Sequence, residues 1–240
     1  MNSNYYTTGG CDCGPVCPQP CQPCGVQNCQ PCAAQSCQQE NAAHCSCADD
    51  FRTLLGILCC QQLRSVVDFS AFGFVTNEFL MGTTLEDPTV GTVAGDNLAG
   101  LAGSYVCGSA GCDTIAASGD LALAAVGATP VAIPVTQVSL CKLDAIAFTV
   151  LGENGTIASN FQTLTQTLAQ LLEPRRTGCC NTVAGNLLDA AAARSATVTA
   201  GPLAVFNAAV LGTVGEVLVL ANSTDSRVYF VCADKIAFIG

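Results

Sequence analysis

Cysteine dominates the chemistry open to this sequence, with 18 in 240 residues beside a single histidine, His44. Ten fall within residues 1–48: Cys11, Cys13, Cys17, Cys21, Cys24, Cys29, Cys32, Cys37, Cys45 and Cys47. Cys21–Cys24 and Cys29–Cys32 are two Cys-Gln-Pro-Cys units, giving C-x2-C-x4-C-x2-C. Four thiolates could ligate zinc, but zinc modules usually separate their pairs by about a dozen residues, so that a knuckle folds between them. Here the spacer is short, and its one bulky hydrophobe is Val26. The iron–sulfur spacing is not matched either. A redox-active CxxC opens a helix after a strand, whereas these units lie among Pro15, Pro18, Pro20, Pro23 and Pro31. Oxidative cross-linking is the favoured chemistry. Thiolate metal binding through Cys21, Cys24, Cys29 and Cys32 is the alternative.

Two vicinal pairs, Cys59-Cys60 and Cys179-Cys180, extend that reading. Adjacent helical residues point about 100° apart, so Cys59 and Cys60 call for separate partners. Cys179-Cys180 follow Arg175 and Arg176, whose charge favours the reactive thiolate. His44 beside Cys45 does not make a catalytic dyad, because neighbours in an extended segment diverge. With two lysines, one histidine and no G-x-S-x-G, Walker A or dinucleotide motif, the chain is expected to be neither an enzyme nor a cofactor binder.

The elements that must position these thiols follow from composition. The chain is 50% apolar and 11% charged, too apolar for disorder along its whole length. A net charge of −10 argues against nucleic acid as a partner. The opening residues MNSNYYTTGG lack the basic and apolar regions of a secretory signal. Leu203–Ala221 is long enough to span a membrane, but its valines, Asn207, Glu216, Gly212 and Gly215 read as two strands and a Gly turn, so no span is expected. Residues 1–45 form a Cys/Gln/Pro-rich low-complexity arm with too little apolar bulk for a core.

Helix signals begin at Ser46, a capping candidate, with Asp49 and Asp50 suited to the first turn. Phe51, Leu54, Leu55, Leu58, Leu63, Val66 and Val67 continue at helical spacing. Strands are predicted within Phe69–Gly82 and over Val131–Leu140, where Pro134 marks an edge or bulge. A second helix carries Ile157, Phe161, Leu164, Leu168, Leu171 and Leu172, and a shorter one spans Asn181–Arg194. The remainder reads as strands: Ala196–Ala200, Leu203–Leu211, Val214–Ala221, Arg227–Cys232 and Lys235–Ile239.

An internal duplication runs through this order. Ala48–Leu58 (ADDFRTLLGIL) aligns without gaps to Ala158–Leu168 (ASNFQTLTQTL) at an offset of 110. Each helix precedes a Cys-Cys pair, and each half closes on a related strand, LCKLDAIAF at Leu140–Phe148 and VCADKIAF at Val231–Phe238. The fold class expected is α+β: two duplicated helix-plus-antiparallel-sheet units, 46–153 and 154–240, whose sheets pack together, preceded by the arm 1–45.

The segment CSCADDFRTLLGILCC, the later Cys-bearing strands and the absent signal peptide resemble the cysteine-rich spore-coat and exosporium proteins of spore-forming bacteria, including the clostridial exosporium type. That resemblance implies synthesis in the mother-cell cytosol, a place on the spore surface, and self-assembly into a disulfide-stabilised layer or filament. The implied partners are copies of the chain itself and other Cys-rich coat proteins. Cross-link candidates are the ten cysteines of residues 1–48 together with Cys59, Cys60, Cys179 and Cys180.

Overall fold

The computed structural model describes residues 45, 47–77, 79–85, 96–111, 113–122, 133–153, 155–172 and 195–239. The arm before residue 45, Ser46, the expected helix at Asn181–Arg194 and the Cys179-Cys180 pair lie outside them. The described residues are mostly antiparallel sheet. Helix α1 (Ala48–Leu58) and the single turn α2 (Gln61–Arg64) precede β1 (Val67–Val75), β2 (Leu80–Met81), β3 (Ser104–Tyr105), β4 (Thr114–Ala122), β5 (Ile133–Ser139) and β6 (Ala145–Val150). Helix α3 (Ile157–Leu171) precedes β7 (Ser195–Ala200), β8 (Leu203–Val214), β9 (Val217–Asn222), β10 (Arg227–Cys232) and β11 (Ile236–Ile239). A 3-10 turn leads into each half's last strand, Leu140–Lys142 before β6 and Ala233–Lys235 before β11.

The apolar stripe from Phe51 predicts helix through Val67, but α1 ends at Leu58 and Val67 opens β1. Cys60 causes the break, since its extended backbone (φ −64°, ψ 150°) cannot continue a helix. The N-cap is Cys47 rather than Ser46, with Asp49 and Asp50 in the first turn as expected. The segment Leu203–Ala221 forms β8 and β9 around Gly215, and among the described residues no helix is long and apolar enough to cross a membrane.

The strands do not make two sheets packed together. They form one sheet in the order β11-β7-β8-β9-β10-β6-β1-β2-β4-β3, with β5 paired to β4. The halves meet edge to edge where β10 pairs antiparallel with β6, from Arg227↔Thr149 to Val231↔Ala145. Composition explains that position. In β10 every residue after Arg227 is buried, and in β6 every residue except Thr149, so both strands need cover on two faces. With β3 set aside, the halves run β11-β7-β8-β9-β10 and β6-β1-β2-β4-β5. In each, the last strand comes first, followed by the remaining strands in chain order. The outer strands are β11 and β5, and β5 is the edge that Pro134 implies.

Strands β2 and β3 lie on one line between β1 and β4, interrupted by the excursion 83–102. Three glycines permit this: a Cβ on Gly82 would meet the Gly103 backbone at 2.5 Å, and one on Gly119 would meet both at 3.2 Å. One sheet face buries Phe72, Phe74, Phe148 and Phe230 under α1 and α3. The opposite face buries mostly alanine, valine and leucine, among them Ala145, Ala147, Ala196, Val198, Val205 and Leu220, together with Tyr229. The sheet curls over that face, bringing Gly201 in the β7–β8 turn against Asp144 and Asn77.

Candidate functional site: a cysteine staple across the seam of the sheet

The tripeptide Cys45-Ser46-Cys47 reaches both halves. Cys45 bonds Cys141 (Cα–Cα 5.1 Å) and Cys47 bonds Cys232 (5.8 Å). Cys141 lies in the 3-10 turn before β6, and Cys232 ends β10 immediately before the other such turn. These are the cysteines of the two related strand motifs. Beneath the staple, the Cys232 N–H donates to the Asp144 carbonyl (2.9 Å) and the Asp144 N–H donates to the Val75 carbonyl (2.8 Å). The staple therefore sits on the β10–β6 seam and holds the start of α1 there. A third bond, Cys59–Cys107 (Cα–Cα 5.5 Å), ties the end of α1 to the stretch after β3. Tyr105 lies beside it, its hydroxyl 4.0 Å from Cys59 Sγ, and burial pushes that phenol up to about 12.

Helix α1 is also held by a carboxylate. The Glu216 N–H donates to Asp50 Oδ2 (2.8 Å) in the β8–β9 turn. Gly215 turns there with φ +52°, and a Cβ would collide with the Asp50 carboxylate, so glycine is required. Burial pushes Asp50 up to about 6; the backbone hydrogen bond opposes the rise, while the charges of Asp49 and Glu216 add to it.

A polar clamp supports the seam from the excursion. Arg227 Nη1 donates to Asp96 Oδ1 (2.6 Å) and to the Leu98 carbonyl (2.9 Å), and Nη2 donates to the Ala99 carbonyl (3.1 Å). Asn97 donates to the Pro202 carbonyl (2.8 Å) and accepts from the Ala204 N–H (2.7 Å). The first half thereby grips β8 and β10 of the second. Burial raises the Asp96 carboxyl even though the Arg227 charge pulls it down. Among the described residues, this arrangement consists of fixed covalent and polar ties.

Comparison with known proteins gives this architecture a family. The family model described as "Spore coat protein CotA-like" matches residues 45–240. The chain belongs to this family. A curated relative, "Spore coat protein CotA" of Clostridioides difficile (strain 630), is 27% identical over 262 residues, covering 81% of this chain and 83% of the relative. No solved structure matches. The family match begins at Cys45, the first cysteine of the staple.

Of the cross-link candidates, Cys45, Cys47 and Cys59 form bonds within this CotA-like chain, and Cys60 is also disulfide-bonded. Cys59 and Cys60 do have separate partners, since Cys59 bonds Cys107. Cys11, Cys13, Cys17, Cys21, Cys24, Cys29, Cys32, Cys37, Cys179 and Cys180 lie outside the described residues. The sequence reading missed Cys107, Cys141 and Cys232 as bonding partners. A signal for two of them existed: Cys141 and Cys232 occupy the same place in the two related motifs, and two cysteines two residues apart stood ready to meet them. Among the described residues no cluster suits a metal ion.

Proposed function

We propose that this member of the CotA-like spore-coat family is a structural subunit that self-assembles into a disulfide-reinforced layer or filament on the spore surface. The observation that carries the reading is the family match across residues 45–240. The state of the cysteines supports it. All seven described cysteines, Cys45, Cys47, Cys59, Cys60, Cys107, Cys141 and Cys232, are disulfide-bonded. Cross-links between subunits then fall to cysteines outside the staple, foremost Cys11, Cys13, Cys17, Cys21, Cys24, Cys29, Cys32 and Cys37. The arm joins neighbours while the body makes the non-covalent contacts. A thiol on an already docked neighbour reacts at an effective concentration in about the millimolar range, which favours several bridges per subunit.

In this reading the body is two copies of one α+β unit, 46–153 and 154–240. The gapless helix match, the paired strand motifs and the shared strand order support that division. The test is electron microscopy of the full chain with its eight cysteines from Cys11 to Cys37 changed to serine, beside the unaltered chain. Both should form particles. Only the unaltered chain should resist heat and detergent until a reductant is added. Equal resistance would remove the arm as the source of the cross-links.

A further inference from the structure

We propose that copies of the chain join head to tail through their sheet edges, β5 of one copy pairing antiparallel with β11 of the next. This deepens the self-assembly reading above and rests on it, naming the contact by which the body associates.

The template is the seam inside the chain. There the fourth strand of the second half, β10, pairs with the last strand of the first half, β6. The outer strands are the counterparts left over: β5 occupies the place of β10, and β11 the place of β6. Among the described residues β5 pairs only with β4, and β11 only with β7. A β5–β11 contact between copies would extend the seam's order without a break.

The side chains match that role. β6 and β11 share Ile-Ala-Phe, at Ile146–Phe148 and Ile236–Phe238. Within the chain, Phe148 is 0% exposed and meets Phe230 of β10 edge-on at 5.0 Å. On the outer strand β11, Phe238 is 57% exposed among the described residues. On β5, Ile133 is 40% exposed, and Thr136 and Gln137 lie open. Natural edges are commonly guarded by charge, especially lysine, against such pairing. Neither Ile133–Ser139 nor Ile236–Ile239 contains a charged residue. Pro134 lacks a donor and confines pairing to the stretch after it. Because the two edges differ, the contact is heterologous and propagates into a ring or an open filament.

The experiment uses the full chain with the eight cysteines Cys11–Cys37 as serine, so that only non-covalent contacts are read. One variant blocks β11 (Ala237→Asp with Phe238→Asp), the other blocks β5 (Thr136→Asp with Gln137→Asp), and sedimentation velocity gives the assembly state. The parent should form species larger than dimers. Each variant alone should be monomeric. Their equimolar mixture should give dimers and nothing larger, because one free β5 meets one free β11. Circular dichroism checks the fold, and a pair that loses its β signal is replaced by Phe238→Lys and Gln137→Lys. The inference is overturned if either variant assembles like the parent, if one variant alone dimerises, or if the mixture stays monomeric. It is also overturned if the serine parent is monomeric while the unaltered chain assembles; that outcome leaves the coat-subunit reading standing. Failure of the unaltered chain to assemble would overturn both.

Discussion

Helices α1 and α3 read alike in sequence and are used differently. They align residue for residue at Ala48–Leu58 and Ala158–Leu168, yet α1 buries Ala48, Phe51, Leu54, Leu55, Ile57 and Leu58, whereas the longer α3 buries only Leu164, Thr167 and Leu168. What separates them is attachment. Disulfides hold α1 at both ends and Asp50 holds its first turn, so its apolar face is pressed onto the central strands. Helix α3 is tied at its start by Asn160, which donates to the Leu151 carbonyl (2.7 Å), and Phe161 remains half-buried. Equal amphipathic stripes thus contribute unequally, because stability follows the area covered rather than the pattern that could cover it.

The largest expected effect tests that inequality at matched positions. Phe51 is 0% exposed among side chains fixed by the staple, so Phe51→Ala should cost about 4 kcal/mol in denaturant unfolding. Phe161→Ala should cost about 1 kcal/mol, since part of its ring already meets water. Similar losses at the two sites would mean that α3 is covered as fully as α1.

Next in size is the clamp. Arg227→Ala strands the Asp96 carboxylate, whose side chain is 1% exposed, and should cost about 3–4 kcal/mol. Adding Asp96→Asn should recover part of the loss, because no charge then remains unpaired. A double variant no more stable than Arg227→Ala alone would locate the loss in the carbonyl bonds to Leu98 and Ala99.

The staple itself should follow. Cys47→Ser with Cys232→Ser opens a closure spanning 185 residues and should cost about 3 kcal/mol, with Cys45–Cys141 still limiting the unfolded chain. Unfolding in denaturant, followed by fluorescence of the tyrosines, measures this.

The smallest effect is a pH slope. Burial raises Asp50 to about 6 and also raises Asp96 and Asp144, the latter opposed by Lys235. Each holds its proton more tightly folded than unfolded, so Asp50 contributes stability that is present below about pH 4 and lost as pH rises through about 6. Asp96 and Asp144 act in the same direction. The melting temperature should fall across that window. Asp50→Asn keeps an acceptor for the Glu216 N–H and should flatten the fall. An unchanged slope would assign it to Asp96 and Asp144.

Much of the fold was legible in residues whose neighbours are local. Ile157–Leu171 is helical where its stripe predicts, and Arg227–Cys232 forms a strand with the expected bounds. Val66 and Val67 misled because helical spacing persisted past Cys60, whose extended backbone separates α1 from the single turn α2. The splitting of one sheet line into β2 and β3 depends on glycines brought together from positions 82, 103 and 119, and no local window contains all three. The joining of the halves into one sheet was readable only in hindsight, from the two-faced burial of β6 and β10. For the candidate site, the motifs marked where Cys141 and Cys232 belong, but which thiol each meets is a tertiary fact.

The central claim is that body cysteines lock each subunit while other cysteines join subunits. Its most direct measurement is disulfide mapping by mass spectrometry on particles assembled from equal parts of unlabelled and nitrogen-15-labelled chain. Cys45–Cys141, Cys47–Cys232 and Cys59–Cys107 should appear only as peptide pairs of one isotope, while pairs containing Cys11–Cys37 should include mixed-isotope species. Mixed-isotope Cys45–Cys141 or Cys47–Cys232 pairs would contradict the account, because the staple would then join subunits instead of closing one.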